Sequence, residues 1–121
     1  MEWDVRFHAS FAAKAREFAR AVQIEIAALA GSLRHFGPQL RRPHCDTLKG
    51  SKYTNMKELR FTLPDGEWRI AFAFDLERQA ILLCGGSKSG RNERQFYKDL
   101  IRVADARFSA HLNTLSKDRG R

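Results

Sequence analysis

Cysteine is scarce in this 121-residue chain: Cys45 and Cys84 stand 39 positions apart, and neither has a neighbour at metal-ligand spacing. That excludes a disulfide-rich scaffold and a zinc-finger ligand set, so no metal is expected. Counting leaves room for one disulfide, but free thiols in a reducing compartment are the expectation. Cys84 closes the apolar run 80–84, where it reads as a small buried hydrophobe. Long apolar runs are missing as well, for none approaches the roughly 20 residues that span a bilayer. The start, Met1-Glu2-Trp3-Asp4, lacks the basic-then-apolar order of a secretion signal. The expectation is a cytoplasmic protein without a membrane partner. The glycine-rich stretch 85–90 lacks the full G-x-x-x-x-G-K-[ST] spacing of a phosphate loop. No helix-turn-helix pattern offers DNA base readout.

What is present is core material and positive charge. Apolar residues make up 43% and aromatic residues 11%, with nine Phe and two Trp, enough for one core in a chain of this length. The formal net charge is +8 and uneven: residues 1–31 sum to zero, 32–60 to +5, 61–87 to −2 and 88–121 to +5. Clustered cations favour a polyanionic partner, because they steer encounter and release counterions from phosphates; a merely solvated basic surface is the plainer alternative.

Hydrophobic periodicity divides the chain. Trp3, Val5 and Phe7 alternate with charged residues, which predicts a first strand over 2–7. Phe11, Ala15, Phe18, Val22, Ile26, Leu29 and Leu33 then recur at steps of three and four, a helical stripe with Ser10 as its cap, either one long helix or a hairpin. Gly31-Ser32 is a candidate interruption, and Phe36-Gly37-Pro38 a stop. Residues 39–55 read as a basic loop. Strands follow over 57–63, 68–74 and 79–85, turned at Pro64-Asp65-Gly66 and at 75–78, an antiparallel meander. A second helical stripe runs from Phe96 to Leu115, and the tail 116–121 has little to bury and is expected to fray.

The first hairpin yields a specific register. Leu59, Phe61 and Leu63 share a face, as do Trp68, Ile70 and Phe72, so pairing those faces needs an odd-sum register such as 61 opposite 68 and 59 opposite 70. Arg60 then lies beside Arg69 on the other face. Like charges there cost energy unless an anion or a carboxylate lies between them, and Glu58 and Glu67 offer ordinary compensation.

Four strings, RPHCDTLKGSKYTNMKELR (42–60), WRIAFAFD (68–75), AILLCGGSKSG (80–90) and FYKDLIRVADARFSAHL (96–112), resemble in this order toxins of the RelE/ParE superfamily, especially its phage-derived Gp49-like or HigB-like branch. The resemblance implies an α+β fold, with a small twisted, mainly antiparallel sheet and packed helices in a single domain over 1–115. It implies the toxin of a type II toxin–antitoxin system, a ribosome-associated mRNA endoribonuclease without metal or cofactor. A gyrase-targeting toxin, and a non-enzymatic or degenerate RNA-binding domain, are the alternatives. The implied partners are mRNA, the ribosome and a cognate antitoxin carrying a DNA-binding domain.

In-line attack of a ribose 2′-hydroxyl on the adjacent phosphate needs cations to stabilise the phosphorane and groups to move protons. The resemblance assigns Arg69 to the scissile phosphate and Arg60 to a neighbouring phosphate or a structural ion pair. Lys88 stabilises the phosphate, and Tyr97 packs against an RNA base or assists proton transfer, with simple packing beside Phe96 as the plainer alternative. His44, Lys49, Lys52, Tyr53, Lys57, Arg91 and Arg94 form the candidate RNA-binding set, each with a plainer reading as exposed basic surface or structural corner. The branch often reads GGDKSG where this chain has Ser87, which removes a carboxylate beside Lys88 and puts catalytic efficiency in doubt. No histidine follows Tyr97 closely, so the acid–base pair is left unnamed.

Overall fold

The computed structural model describes the backbone of residues 2–119 and the side chains of residues 2–117. Strand β1 (Asp4–Phe7) leads into two short-linked helices, α1 (Ala9–Ala15) and α2 (Arg20–Phe36), and a 3-10 turn at Gly37–Gln39. Strands β2 (Cys45–Thr47), β3 (Met56–Leu63), β4 (Gly66–Phe74) and β5 (Gln79–Ser87) follow, and α3 (Glu93–Arg119) closes the chain. The sheet order is β1-β5-β4-β3-β2, with β1 parallel to β5 and the other pairs antiparallel. The α+β class and the mainly antiparallel sheet match the sequence expectation.

The sheet is buried on both faces, which decides the character of β4. One face packs Leu59, Ile70, Phe72 and Leu82 against Phe11, Val22, Ile26 and Leu33 of α1 and α2. The other packs Met56, Ala71, Ala73 and Leu83 against Phe96, Leu100, Ala104 and Phe108 of α3. Residues 68–73 are therefore buried without alternation, as strands covered on both faces are. Cys45 belongs to the first cluster and Cys84 to the second, both as free, buried thiols. Burial pushes them up to about 11 and about 12, respectively.

The predicted register holds residue for residue: Phe61 opposes Trp68, Arg60 opposes Arg69 and Leu59 opposes Ile70. A bulge at the β4–β5 pairing passes from Ala71↔Cys84 to Phe72↔Leu82, and Arg107 of α3 donates to the Leu83 carbonyl at 2.7 Å. Gly66 takes a positive φ of 137° in the β3–β4 turn, a conformation L side chains resist.

Four local expectations need correction. The helical stripe is interrupted at residues 16–19 rather than at Gly31-Ser32, and Gln23 Nε2 caps the open end of α1 by donating to the carbonyls of Ala15, Arg16 and Phe18. The helix N-cap is His8, whose Nδ1 accepts from the Ser10 amide, not Ser10. The loop 39–55 contains β2, a strand too short to show periodicity. As an edge strand, β1 leaves Phe7 exposed and stacked on Phe11 rather than buried. The expected tail also differs in part: helical backbone continues through Arg119, and residues 120 and 121 lie outside the described residues.

Candidate functional site

The face of the sheet covered by α3 carries a polar cluster where β3, β4 and the end of β5 outrun the apolar packing. Alternation brings Glu58 and Arg60 of β3 to this face, and the register sets Arg69 of β4 opposite Arg60. Lys88 follows the end of β5, and its amide donates to the Glu67 carbonyl at 2.8 Å. Asn92 caps α3 by accepting from the Gln95 amide, which fixes Tyr97 just inside the helix.

Arg69 is enclosed, at 2% exposure. Its Nε donates to Tyr97 Oη at 3.0 Å, Nη1 to the Trp68 carbonyl at 2.9 Å, and Nη2 to Glu67 Oε1 at 3.0 Å. Burial opposes its charge, and the bonds to Tyr97 and Glu67 more than offset that, leaving Arg69 firmly protonated. The resemblance assigned Arg69 to the scissile phosphate; here each of its three nitrogens is bonded within the protein and the side chain is enclosed.

The reachable groups surround Tyr97. Arg60, with 22% of its side chain exposed, donates from Nη1 to Glu58 Oε2 at 2.8 Å. Lys88, at 15%, donates to Glu93 Oε1 at 2.5 Å and lies 5.4 Å from the Tyr97 ring centroid. Glu93 therefore gives Lys88 the carboxylate that Ser87 does not, and Lys88 holds the Glu93 carboxyl below the usual range. Arg69 does the same for Glu67. Burial pushes the Tyr97 phenol up, so it is neutral near pH 7. Beside it opens a cleft of ≈ 260 Å³ bordered by Arg42, Lys49, Glu58, Arg60 and Tyr97.

The other candidates scatter. Lys49 borders the cleft, but the exposed His44 meets the site only through its carbonyl, which accepts from the Arg60 amide at 2.8 Å. Tyr53 is committed to packing: its ring meets Phe108 edge-on and its hydroxyl bonds Ser109 Oγ at 2.5 Å. The Lys52 amide donates to Asp105, with its ammonium over the Tyr53 ring. Lys57 shares the parity of Leu59 and Phe61 and borders a separate pocket with Arg41 and Asp46, away from Tyr97. Arg91 pairs with Asp99 at 3.1 Å over the Phe96 ring, beside a different cavity of ≈ 320 Å³. Arg94 is exposed on the first turn of α3.

Sequence reasoning gave Glu58 only a compensating role and missed Glu93 and the Arg42–Asp46 pair at 2.7 Å. Parity placed Glu58 with Arg60. Glu93, five positions beyond Lys88, was readable only once the helix start was known. Among the described residues, no three His, Cys, Asp or Glu side chains gather as a metal site.

The fold is that of RelE-type toxins. A free-state mutant of the E. coli toxin RelE superposes with a TM-score of 0.57 at 11% identity, covering 84% of this chain and 95% of that one. A chain of the Mycobacterium tuberculosis RelBE2 toxin–antitoxin complex gives a TM-score of 0.53 at 15% identity, covering 72% of this chain and 92% of that one. The model of the family described as phage derived protein Gp49-like matches residues 14–109, and the chain belongs to that family. Two M. tuberculosis H37Rv proteins are similar in sequence. The putative toxin HigB2 is 49% identical over 77 residues, 63% of this chain and 38% of that protein. The putative toxin HigB3 is 51% identical over 72 residues, 59% and 60% of the two chains. The match thus spans less than two thirds of either relative.

Proposed function

We propose that this chain is the toxin of a toxin–antitoxin pair and cleaves mRNA, in the cytoplasm and in association with the ribosome, by in-line attack of a ribose 2′-hydroxyl. The observation that carries this reading is a neutral phenol, Tyr97, bonded to the buried Arg69, lining a cleft with Arg60 and lying 5.4 Å from Lys88 Nζ by its ring centroid. Two reachable cations suit a phosphodiester whose charge grows in the transition state, and side chains alone supply that charge. Lys49 and Arg42 extend the basic rim along which the RNA backbone lies. The Gp49-like family and the RelE-type fold support the toxin assignment, and the toxin–antitoxin complex among its structural neighbours supports a cognate antitoxin as partner. That antitoxin is expected to carry a DNA-binding domain.

The test is brief induction in bacteria with mapping of new RNA 5′ ends, beside Tyr97→Phe and Lys88→Ala controls. Cuts within translated regions that fall by about 100-fold in Tyr97→Phe are expected. Growth arrest with DNA damage and no new RNA ends would replace this reading with a gyrase-directed one.

A further inference from the structure

Glu58 is a buried acid for which the reading above has no task. Its side chain is 5% exposed, and Oε2 accepts from Arg60, whereas Oε1 is sealed and, among the described residues, is the one buried side-chain polar atom without a hydrogen-bond partner. An enclosed carboxyl oxygen lacking a hydrogen-bond partner is costly and calls for a reason. Glu58 also lines the cleft beside Tyr97 and Arg60.

A phenol oxygen has one proton to give and two lone pairs. Arg69 Nε occupies one lone pair of Tyr97 Oη at 3.0 Å, and the same Nε lies 3.8 Å from Glu58 Oε1, so the two oxygens share a neighbour. That bond leaves the Tyr97 proton and the second lone pair uncommitted, beside Glu58 and the cleft. Burial raises the Tyr97 phenol most, the Arg69 hydrogen bond works against the rise, and the Glu58 carboxylate adds to it.

On the endoribonuclease reading, on which this rests, we infer that Glu58 is a positioning and proton-accepting residue that acts through Tyr97. Held by Arg60 at the wall of the cleft, it takes the phenol proton as Tyr97 Oη takes the proton of the attacking 2′-hydroxyl. The 2′ oxygen forms its bond to phosphorus, the bond from phosphorus to O5′ breaks with its electron pair on O5′, and Lys88 Nζ protonates that oxygen. One proton leaves the ammonium and one arrives at the carboxylate, so both end neutral and solvent resets them. The products are a 2′,3′-cyclic phosphate and a 5′-hydroxyl. The charged groups facing this relay are Arg60 on β3, Arg69 and Glu67 on β4, Lys88 after β5 and Glu93 on α3, with Arg42, Asp46 and Lys49 at the rim.

Two measurements on the full chain test it. The Tyr97 phenol is titrated by ultraviolet absorbance in the otherwise unchanged protein and in Glu58→Gln, with Tyr97→Phe subtracted to remove Tyr53. Glu58→Gln is expected to lower the Tyr97 midpoint by about one pH unit, and an unmoved midpoint overturns the contact. Cleavage is then followed on mRNA-programmed ribosomes. Glu58→Gln and Tyr97→Phe should each slow it by about 100-fold, and the double variant should be no slower than the worse single. Multiplying effects refute the relay but leave the endoribonuclease reading standing. No cleavage by the unsubstituted protein refutes both.

Discussion

Arg60 and Arg69 carry the same charge, face one another across two strands, and have opposite fates. Arg69 neutralises a buried neighbourhood that includes Glu58, and Arg69→Ala would strip a buried acid of a compensating charge. Its expected cost is about 3–5 kcal/mol, read as a lower midpoint in urea unfolding. Arg60→Ala, at a partly exposed position, should cost less, about 1–2 kcal/mol, while weakening RNA binding. An inactive Arg69 variant is therefore informative only if it is shown to be folded. Pairing was legible in the sequence because side-chain parity fixes register. The burial of Arg69 was not, because it depends on α3 arriving some 28 positions later with Tyr97. One clue was available: WRIAFAF is nearly continuous in apolar residues, the mark of a strand covered twice, and Arg69 sits inside it.

Whole elements were legible where periodicity was long and failed where a single side chain decided the end. The three central strands and α3 came from many residues agreeing. The break after α1 came from Gln23, a residue whose type announces nothing, and Gln23→Ala should loosen that corner by about 1 kcal/mol, seen in thermal unfolding. The β4–β5 turn depends on Asp75, which accepts from the Glu77 and Gln79 amides and the Gln79 side chain and meets His111 Nε2 at 2.8 Å. Burial works to raise its carboxyl, and the bonds from His111, Gln79 and Glu77 more than reverse this, so its folded pKa lies below the unfolded value. Its contribution is present above the unfolded pKa of about 4 and is lost as pH falls through the folded one. Asp75→Asn should reduce stability at pH 7 and flatten the fall of unfolding free energy toward acid. An acid limb as steep as before would exclude Asp75 as its source.

For the molecule as a whole, which carries a net charge of +8, the proposed RNA binding should weaken with salt in proportion to the phosphates its cations meet. If Lys49 and Lys88 both meet phosphates, removing either should lower the slope of log affinity against log salt by about 0.7, while Lys57→Ala, placed away from the site, should leave it nearly unchanged. Filter binding to a single-stranded RNA at several salt concentrations measures this. The family resemblance was legible because its strings survive in order. The enclosure of Arg69 beneath the more exposed Arg60 and Lys88 was not, because it arises from packing between layers.

The two thiols make each layer separately observable. Cys45 lies beneath α1 and α2 and Cys84 beneath α3, and at pH 8 a thiol with a pKa of about 11 is ionised in only roughly one molecule in a thousand, besides being shielded. Alkylation must then wait for a layer to lift. Its rate at each sulfur clocks the opening of one side of the sheet, and a bound partner that slows one clock and not the other reveals which side it covers.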